Sequence, residues 1–523
     1  MLSRWLLKSY LGAALCLAII ANPFSRKALA NEDSAALESD ALLQKLQSLQ
    51  SQVLDSSKGV TLDEAIVLGI KNNPGLVSAF RDIQQFEWQL IAAQRRWYPN
   101  LRLVNGTPFV GYKASTFVRR LYRPQSFTST PESSQISTSS TPESSQISTL
   151  SPQSANFSSN VVFQPSLNFT WNAIDPTRQP SINAASEALR ERKLLFIASA
   201  RNLILEIQSD YYSLQSTRQL IDNFQEIYKI NRRQLDIINA QYSILMVSLQ
   251  AVAQTEAELF TQLNSLIGFT KAYIAEAASL SQRLGMKDDE LAIPSEEARL
   301  YPEWKLPLNK TISRAIETRE EILASLASAE QARWQGLAAI REYLPKFSLI
   351  GSGGLIYQSG VDNGQPGLNT SSFLTESRSW TASVGLGFNL LMFDGGIQAA
   401  QSKSSYSQEA SRKSTAENTR LKVVEQVRSS YGNYQTADIA VISARRAFKS
   451  AQTAQETALA RFRVGVSDIT ALVQTVQQVA TTSQQLWQSI NEYNKAVAEL
   501  YRYSATWPGD TDQLLKMQER RLK

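Results

Sequence analysis

The segment Thr61–Leu103 decides the fold, because it recurs later in the same chain. It reads TLDEAIVLGIKNNPGLVSAFRDIQQFEWQLIAAQRRWYPNLRL, and the segment Pro307–Leu349 reads PLNKTISRAIETREEILASLASAEQARWQGLAAIREYLPKFSL. The two align without a gap, so that Pro99 falls on Pro345. The chain is therefore predicted to contain two copies of one structural unit.

Each copy opens with helices that end at a proline. Thr61 and Glu64 fit a capping box, and Ile66 and its apolar neighbours recur at helical spacing. Pro99 and Pro345 mark the change to extended chain, because proline disfavours helical geometry in the residue before it. These two prolines are the predicted helix–strand switches.

After each proline, apolar residues alternate with small or polar ones, which is the period of a β-strand. The predicted strands lie near residues 101–112, 161–171, 347–357 and 379–391. A soluble half-buried sheet gives the same alternation, but strands of about ten residues with aromatic ends favour an outer-membrane barrel. Four strands are too few to close a barrel, so the barrel must be shared between chains, of which sequence alone allows two or three.

The stretch between the first two strands, residues 113–160, is rich in Ser, Thr and Pro and contains TPESSQIST twice. Such a composition lacks the apolar residues that build a core, so a disordered loop is predicted.

Each strand pair is followed by a very long helical pattern, roughly residues 177–245 and 397–464, and then by a returning helix. At 1.5 Å per residue each long helix would reach about 100 Å. Their apolar seams are narrow and lie among Ala, Ser, Gln and Thr. This pattern fits a wall that is one helix thick and faces water on both sides, because only the contacts between neighbouring helices are then buried. A coiled-coil or spectrin-like rod also fits this pattern.

The first thirty residues resemble a secretory signal peptide, with basic residues, an apolar run and a small-x-small site ending at Ala30. Beyond it the chain has no Cys and no His, which excludes disulfides, Cys or His metal sites and Ser-His or Cys-His nucleophile pairs. No cofactor is expected and an enzyme is disfavoured. The remaining Lys and Arg are dispersed, so no nucleic-acid partner is predicted.

The order of helix, proline, two strands, long helix and return helix, written twice, resembles the TolC family of outer-membrane efflux and secretion proteins. Short sequence motifs also resemble those of this family, namely LDEAI from Leu62, LMFDGG from Leu391 and RFRVGVS from Arg461. The resemblance covers nearly all of the chain after the signal peptide.

The resemblance implies a mainly helical fold with β-strands. A homotrimer would share a twelve-stranded barrel in outer-membrane lipid and continue it as a periplasmic α-helical barrel. It further implies a passive exit duct for efflux or type I secretion. Its partners would be a periplasmic adaptor protein and an inner-membrane pump of the resistance-nodulation-division or ABC type.

The predicted domains follow from this order. They are a signal peptide (1–30), an N-terminal periplasmic segment (31–60), a first repeat (61–286), a linker (287–306), a second repeat (307–507) and a C-terminal tail (508–523).

The resemblance also places an adaptor contact at the turn after the second long helix, at Val464, Gly465, Val466, Ser467 and Asp468. Gly465 permits a tight turn and Asp468 can cap the next helix.

The corresponding turn in the first copy has no glycine. Its apolar residues Ile244, Leu245 and Met246 are predicted to form a hydrophobic docking patch.

Asp394, Gly395 and Gly396 fit a strand-to-helix bend rather than a phosphate loop, because no Lys-Ser/Thr follows the glycines. The alternative from another class is a periplasm-spanning coiled-coil structural protein or adhesin without a pore. Ion conductance and detergent-resistant oligomers would separate the two.

Overall fold

The computed structural model describes residues 24–55, 57–104, 110–118, 155–363, 373–464, 466–467 and 469–506. The chain divides into two compact units, one of Met1–Gln89, Ala185–Ala332 and Ser407–Lys523, the other of Leu90–Ala184 and Arg333–Tyr406. Most of the predicted signal peptide, the centre of the predicted loop and the C-terminal tail lie outside the described residues. No helix within the described ranges combines the length and hydrophobicity needed to span a bilayer.

The elements follow the predicted order. Two elements, α1 (Phe24–Leu54) and β1 (Ser57–Val60), precede the first copy. The first copy contains α2 (Leu62–Asn72), α3 (Pro74–Gln94), β2 (Asn100–Val104), β3 (Val110–Val118), β4 (Ala155–Phe163), β5 (Ser166–Ile174), α4 (Arg178–Ser243) and α5 (Leu249–Leu284). The segment between the copies contains β6 (Leu291–Pro294), and the second copy contains α6 (Leu308–Thr318), α7 (Glu320–Ile340), β7 (Lys346–Asn363), β8 (Phe373–Asn389), α8 (Ile397–Arg463) and α9 (Ile469–Tyr503). The predicted fold class, mainly helical with a duplicated unit, is confirmed.

In the first unit the long helices pack as hairpins along narrow apolar seams. Helices α8 and α9 meet through a buried cluster that includes Val441, Ile490 and Val497. Tyr228 on α4 packs with Leu259 and Leu263 on α5 in the same way. Full burial of one such side chain stabilises the fold by about 1.5–3 kcal/mol. This packing, and not the intrinsic helix propensity of the polar stretches between the seams, supplies most of the stability of the long helices.

Strands β1 and β6 form a small parallel pair in the first unit. The N–H of Ser295 donates to the carbonyl oxygen of Val60 at 3.0 Å, and the Tyr211 hydroxyl donates to the same oxygen at 3.2 Å. The segment predicted as a linker, residues 287–306, thus contributes a strand. Four residues are too few for an alternation to show in the sequence.

The second unit is built on one antiparallel sheet. Strand β7 pairs with β5 along its first part, with β4 along its last part and with β8 on its other side. Strand β2 extends the sheet beyond β5, and β3 extends it beyond β4. Among the strands that the structure describes, β8 pairs only with β7, so both outer edges of the sheet are open.

The register separates the sheet into an apolar and a polar face, because residues directly opposite each other across a sheet share a face. One row runs Leu101, Phe169, Gly351 and Val384 across four strands. The neighbouring row, one residue along, runs Arg102, Asn168, Ser352 and Ser383 on the opposite face. Both ends of the apolar row are exposed to solvent in the single chain, Leu101 at 62% and Val384 at 83%, and its two middle members are partly exposed.

The strands extend further than the sequence analysis predicts. Strand β3 runs into the predicted loop, where Ala114 lies opposite Ser159 and Val118 opposite Ala155. In the second copy β7 and β8 span 18 and 17 residues. Sheet pairing uses backbone hydrogen bonds, which Ser and Thr supply as well as apolar residues, so a composition rich in Ser and Thr hides strand residues.

Candidate functional site

The turn that joins α4 to α5 closes as a Schellman motif with a leucine in the left-handed position. The N–H of Met246 donates to the carbonyl oxygen of Gln241 at 2.9 Å, and that of Leu245 donates to Tyr242 at 2.9 Å. Leu245 has φ 61°, a conformation that glycine usually provides at this position. The Ser248 hydroxyl accepts from the N–H of Ala251 and caps α5.

The turn that joins α8 to α9 closes in the same way. The N–H of Val466 donates to the carbonyl oxygen of Arg461 at 3.0 Å, which is the same six-residue closure as Met246 to Gln241. By this correspondence Leu245 occupies the place that Gly465 has in the second copy. Gly465 and Asp468 themselves lie outside the described residues.

Both turns rest on one apolar cluster in the first unit. Ile238, Ala251 and Val252 from the first hairpin pack with Ile469 and Leu472 from the second. The structure thus brings together the two parts of the predicted tip, which are more than two hundred positions apart in the chain.

The apolar residues beyond this cluster point outward. We call the exposed set the tip patch, and it consists of Ile244, Leu245, Met246, Leu249, Val464 and Val466. Leu245 is its most exposed member, at 89%. Ser467 is only partly exposed. Leu249 was not predicted as a tip residue from the sequence, where it appears only as an apolar residue directly after Ser248.

The two helix–strand switches have the same geometry. Before Pro99, a short 3₁₀ turn at residues 95–97 ends with the N–H of Tyr98 donating to the carbonyl oxygen of Arg95 at 3.0 Å. Before Pro345, Leu344 donates to Arg341 at 3.1 Å. Tyr98 and Leu344 are both extended, as the following proline requires.

The strand–helix bend of the second copy is held by Asp394. Its carboxylate accepts from the N–H groups of Gln398 and Gly396, both at 2.8 Å, and from the Tyr343 hydroxyl at 2.7 Å. The N–H of Gln398 above all, with the hydroxyl and the N–H of Gly396, lowers the pKa of Asp394. Gly395 and Gly396 have φ 70° and 85°, so both need the freedom of glycine.

The first copy makes the equivalent bend without glycine. The Asp175 carboxylate accepts from the N–H and hydroxyl of Thr177 at 3.1 and 2.7 Å. The Arg178 guanidinium is buried, with its carbon 4.1 Å from the centre of the Trp97 ring, and donates to the carbonyl oxygen of Asn172. The two copies therefore share a fold but differ in side chains at both the turns and the bends.

Comparisons with known proteins agree with this architecture. Residues 311–506 match the family described as outer membrane efflux protein. The chain is 22% identical to the outer membrane protein TolC of Escherichia coli over 366 residues, which are 69% of this chain and 73% of that protein.

Two solved structures share the fold. The CmeC outer membrane channel of Campylobacter jejuni superposes with a TM-score of 0.67 at 16% identity, covering 88% of this chain and 90% of that one. The open state of the MtrE outer membrane channel of Neisseria gonorrhoeae gives a TM-score of 0.61 at 15% identity, covering 85% and 88%. Residues 311–506 thus match the outer membrane efflux protein family, and the chain, with its duplicated helix–strand units and two-faced open sheet, is an outer membrane efflux channel of the TolC type.

Proposed function

We propose that three copies of the chain assemble into one passive exit duct. The observation that carries this proposal is the sheet of the second unit, which has one continuous apolar face and two open edges. An open edge leaves backbone groups unpaired in hydrocarbon, so a sheet that enters a bilayer has to close. The family favours three copies, which would join β8 of one chain to the β2/β3 edge of the next.

The polar face of that sheet would line the duct, since lipid-facing and lumen-facing residues alternate along a barrel strand. Ser352 and Ser383 illustrate its chemistry, because their hydroxyls bond to each other at 2.7 Å instead of to a charged partner. The long helices would continue the duct into the periplasm. Nothing in such a wall supplies energy, so an inner-membrane pump would drive efflux or type I secretion.

The tip patch is the proposed site at which the duct is coupled to that pump. Its six apolar side chains stand outside the cluster that holds the two turns together, where they gain nothing from intramolecular burial. A periplasmic adaptor that covered them would remove their apolar surface from water. We propose that this adaptor contacts Val464 to Asp468 in one turn and Ile244 to Met246 in the other.

The absolute mass of the detergent-extracted protein tests the assembly. Light scattering corrected for bound detergent should give three chains per particle, and reconstitution of that particle should give ion conductance. A two-chain particle would replace the trimer with an eight-stranded barrel. A particle that is stable without detergent and does not conduct would contradict the duct itself.

A further inference from the structure

An open cavity of about 940 Å³ lies in the second unit beside the first helix–strand switch. Its lining includes Arg95 and Arg96 from the 3₁₀ turn, Arg102 from β2, Asn168 from β5 and Asp175. Three guanidinium groups therefore surround a space large enough for a small solute. We call this cavity the arginine pocket.

Among the described residues, no ion pair neutralises the positive charge of the arginine pocket. Arg95, Arg96 and Arg102 are exposed, and none forms an ion pair with another residue in the described ranges. The single carboxylate of the lining, that of Asp175, already accepts two hydrogen bonds from Thr177. Like charges left together without partners repel one another, and an anion bound among them would relieve that repulsion.

The second copy shows that the fold does not require this charge. At the position of Arg96 it has Glu342, which pairs with Lys346, and at the position of Arg102 it has Ser348. The equivalent junction therefore carries matched charges. The excess of arginine is a property of the first copy alone.

The sheet register places the arginine pocket on the polar face. Arg102 lies directly opposite Asn168, in the row that continues through Ser352 and Ser383. The apolar row begins one residue away, at Leu101. A solute in the duct would meet Arg102, whereas lipid chains would meet Leu101.

We propose that the arginine pocket binds the phosphate or carboxylate groups of anionic solutes on their way through the duct. A guanidinium presents a planar fork of donors that matches these groups, and the neighbouring side chains of Asn100, Asn168 and Thr170 add neutral hydrogen-bonding groups. This inference rests on the proposed duct. In the assembled channel one such pocket per chain gives a zone that favours anions.

Single-channel recording of the full-length protein in neutral phosphatidylcholine bilayers tests the proposal. A potassium chloride gradient gives the permeability ratio of chloride to potassium from the reversal potential. The triple variant R95Q/R96Q/R102Q should lower that ratio severalfold, and it should need a severalfold higher concentration of tripolyphosphate for half-block. The matched control R341Q, in the second copy, should leave both values near those of the unchanged protein.

The triple variant R95K/R96K/R102K keeps the three positive charges but removes the planar guanidinium groups. It therefore tests the role of guanidinium geometry separately from charge, and it also provides a second variant should the glutamine variant fail to fold. It should keep the chloride preference while losing part of the tripolyphosphate block, because lysine lacks the fork. An unchanged ratio and unchanged block in a conducting glutamine variant would overturn the arginine pocket. Absence of conductance in the unchanged protein would instead overturn the duct.

The membrane composition distinguishes the two sources of anionic groups. If solutes occupy the arginine pocket, the tripolyphosphate block persists when the bilayer contains anionic phosphatidylglycerol. Loss of the block in that bilayer would mean that lipid headgroups occupy the pocket, and the assignment to solutes would be wrong.

Discussion

At the scale of single residues, Leu245 is the clearest conflict between backbone and side chain. A left-handed backbone costs a branched L-residue about 1–2 kcal/mol relative to its preferred regions. The second copy has Gly465 at the corresponding position in the sequence, the residue type that adopts this conformation without that cost. Leu245 gains nothing in return within the chain, because its side chain is almost fully exposed. An apolar partner that covers Leu245 would account for its presence.

We therefore predict that Leu245→Gly has opposite effects on the turn and on export. Glycine has no steric cost in the left-handed conformation, so the folded turn should become about 1 kcal/mol more stable. Local opening should then be rarer, and hydrogen exchange of the Met246 amide should slow about fivefold. Loss of the apolar side chain should lower export through the assembled pump. Exchange mass spectrometry on the purified protein and an export assay in cells measure the two effects.

The neighbour Ile244 provides the control, since it is exposed but does not have a left-handed backbone. Ile244→Ala should lower export without slowing exchange at Met246. Export that stays at its normal level in Leu245→Gly would remove this leucine from the docking surface. Faster exchange in that variant would contradict the backbone argument.

At the scale of elements, a charged cluster joins α4, α7 and α9 in the first unit. Arg502 on α9 donates to Glu321 at 2.5 Å and to Asn202 at 2.7 Å, and Arg319 donates to Glu321 at 2.9 Å. Burial alone would raise the pKa of Glu321, but the two guanidinium groups outweigh it and hold that pKa at about 2. Nearby, Arg201 pairs with Glu320 at 2.9 Å in full burial.

This cluster predicts a specific pH dependence of stability. Because the pKa of Glu321 is lower in the folded chain than in the unfolded one, its contribution is complete above about pH 4.5 and is lost as the pH falls towards 2. Glu321→Gln should thus lower the free energy of unfolding by about 3 kcal/mol at pH 7, and by progressively less below pH 4.5. Urea unfolding in detergent at several pH values measures this difference.

Glu417→Gln is the matched control, because Glu417 pairs with Arg420 on the surface of α8. Exposed pairs contribute little, so this variant should unfold like the unchanged protein at every pH. A stability loss in Glu321→Gln that stayed constant down to pH 3 would show that the ionised carboxylate is not the stabilising group.

The sequence predicts these elements unequally, for physical reasons. Long periodic helices and the alternation from Ser379 onward carry many repeats of one signal, and both are found. The charged cluster is invisible in the sequence, because Glu321 and Arg502 are 181 positions apart and only the packing brings them together. The left-handed backbone of Leu245 is equally hidden, since leucine is a poor indicator of that conformation.

At the scale of the whole molecule, the duplication produces one sheet with two chemically distinct faces. Each copy contributes strands whose alternation has the same phase, so Phe169 of one copy lies opposite Gly351 of the other on the apolar face. A slip of one residue in either copy would mix the faces. The two-faced sheet is therefore a property of both copies together, and it predicts that adjacent residues on one strand differ sharply in their tolerance of charge.

Val384 and Ser383 on β8 test this difference, because they belong to the apolar and the polar row of the same strand. A lysine on the lipid face of a barrel costs about 2–4 kcal/mol near the bilayer midplane, whereas a lysine in the lumen stays in water. Val384→Lys should therefore greatly reduce the amount of detergent-resistant oligomer in the outer-membrane fraction, and Ser383→Lys should leave it close to normal. Gel electrophoresis of unheated membrane fractions measures both. Equal losses in the two variants would mean that the sheet does not separate lipid from lumen in the assembled protein, and the apolar row would then need another partner.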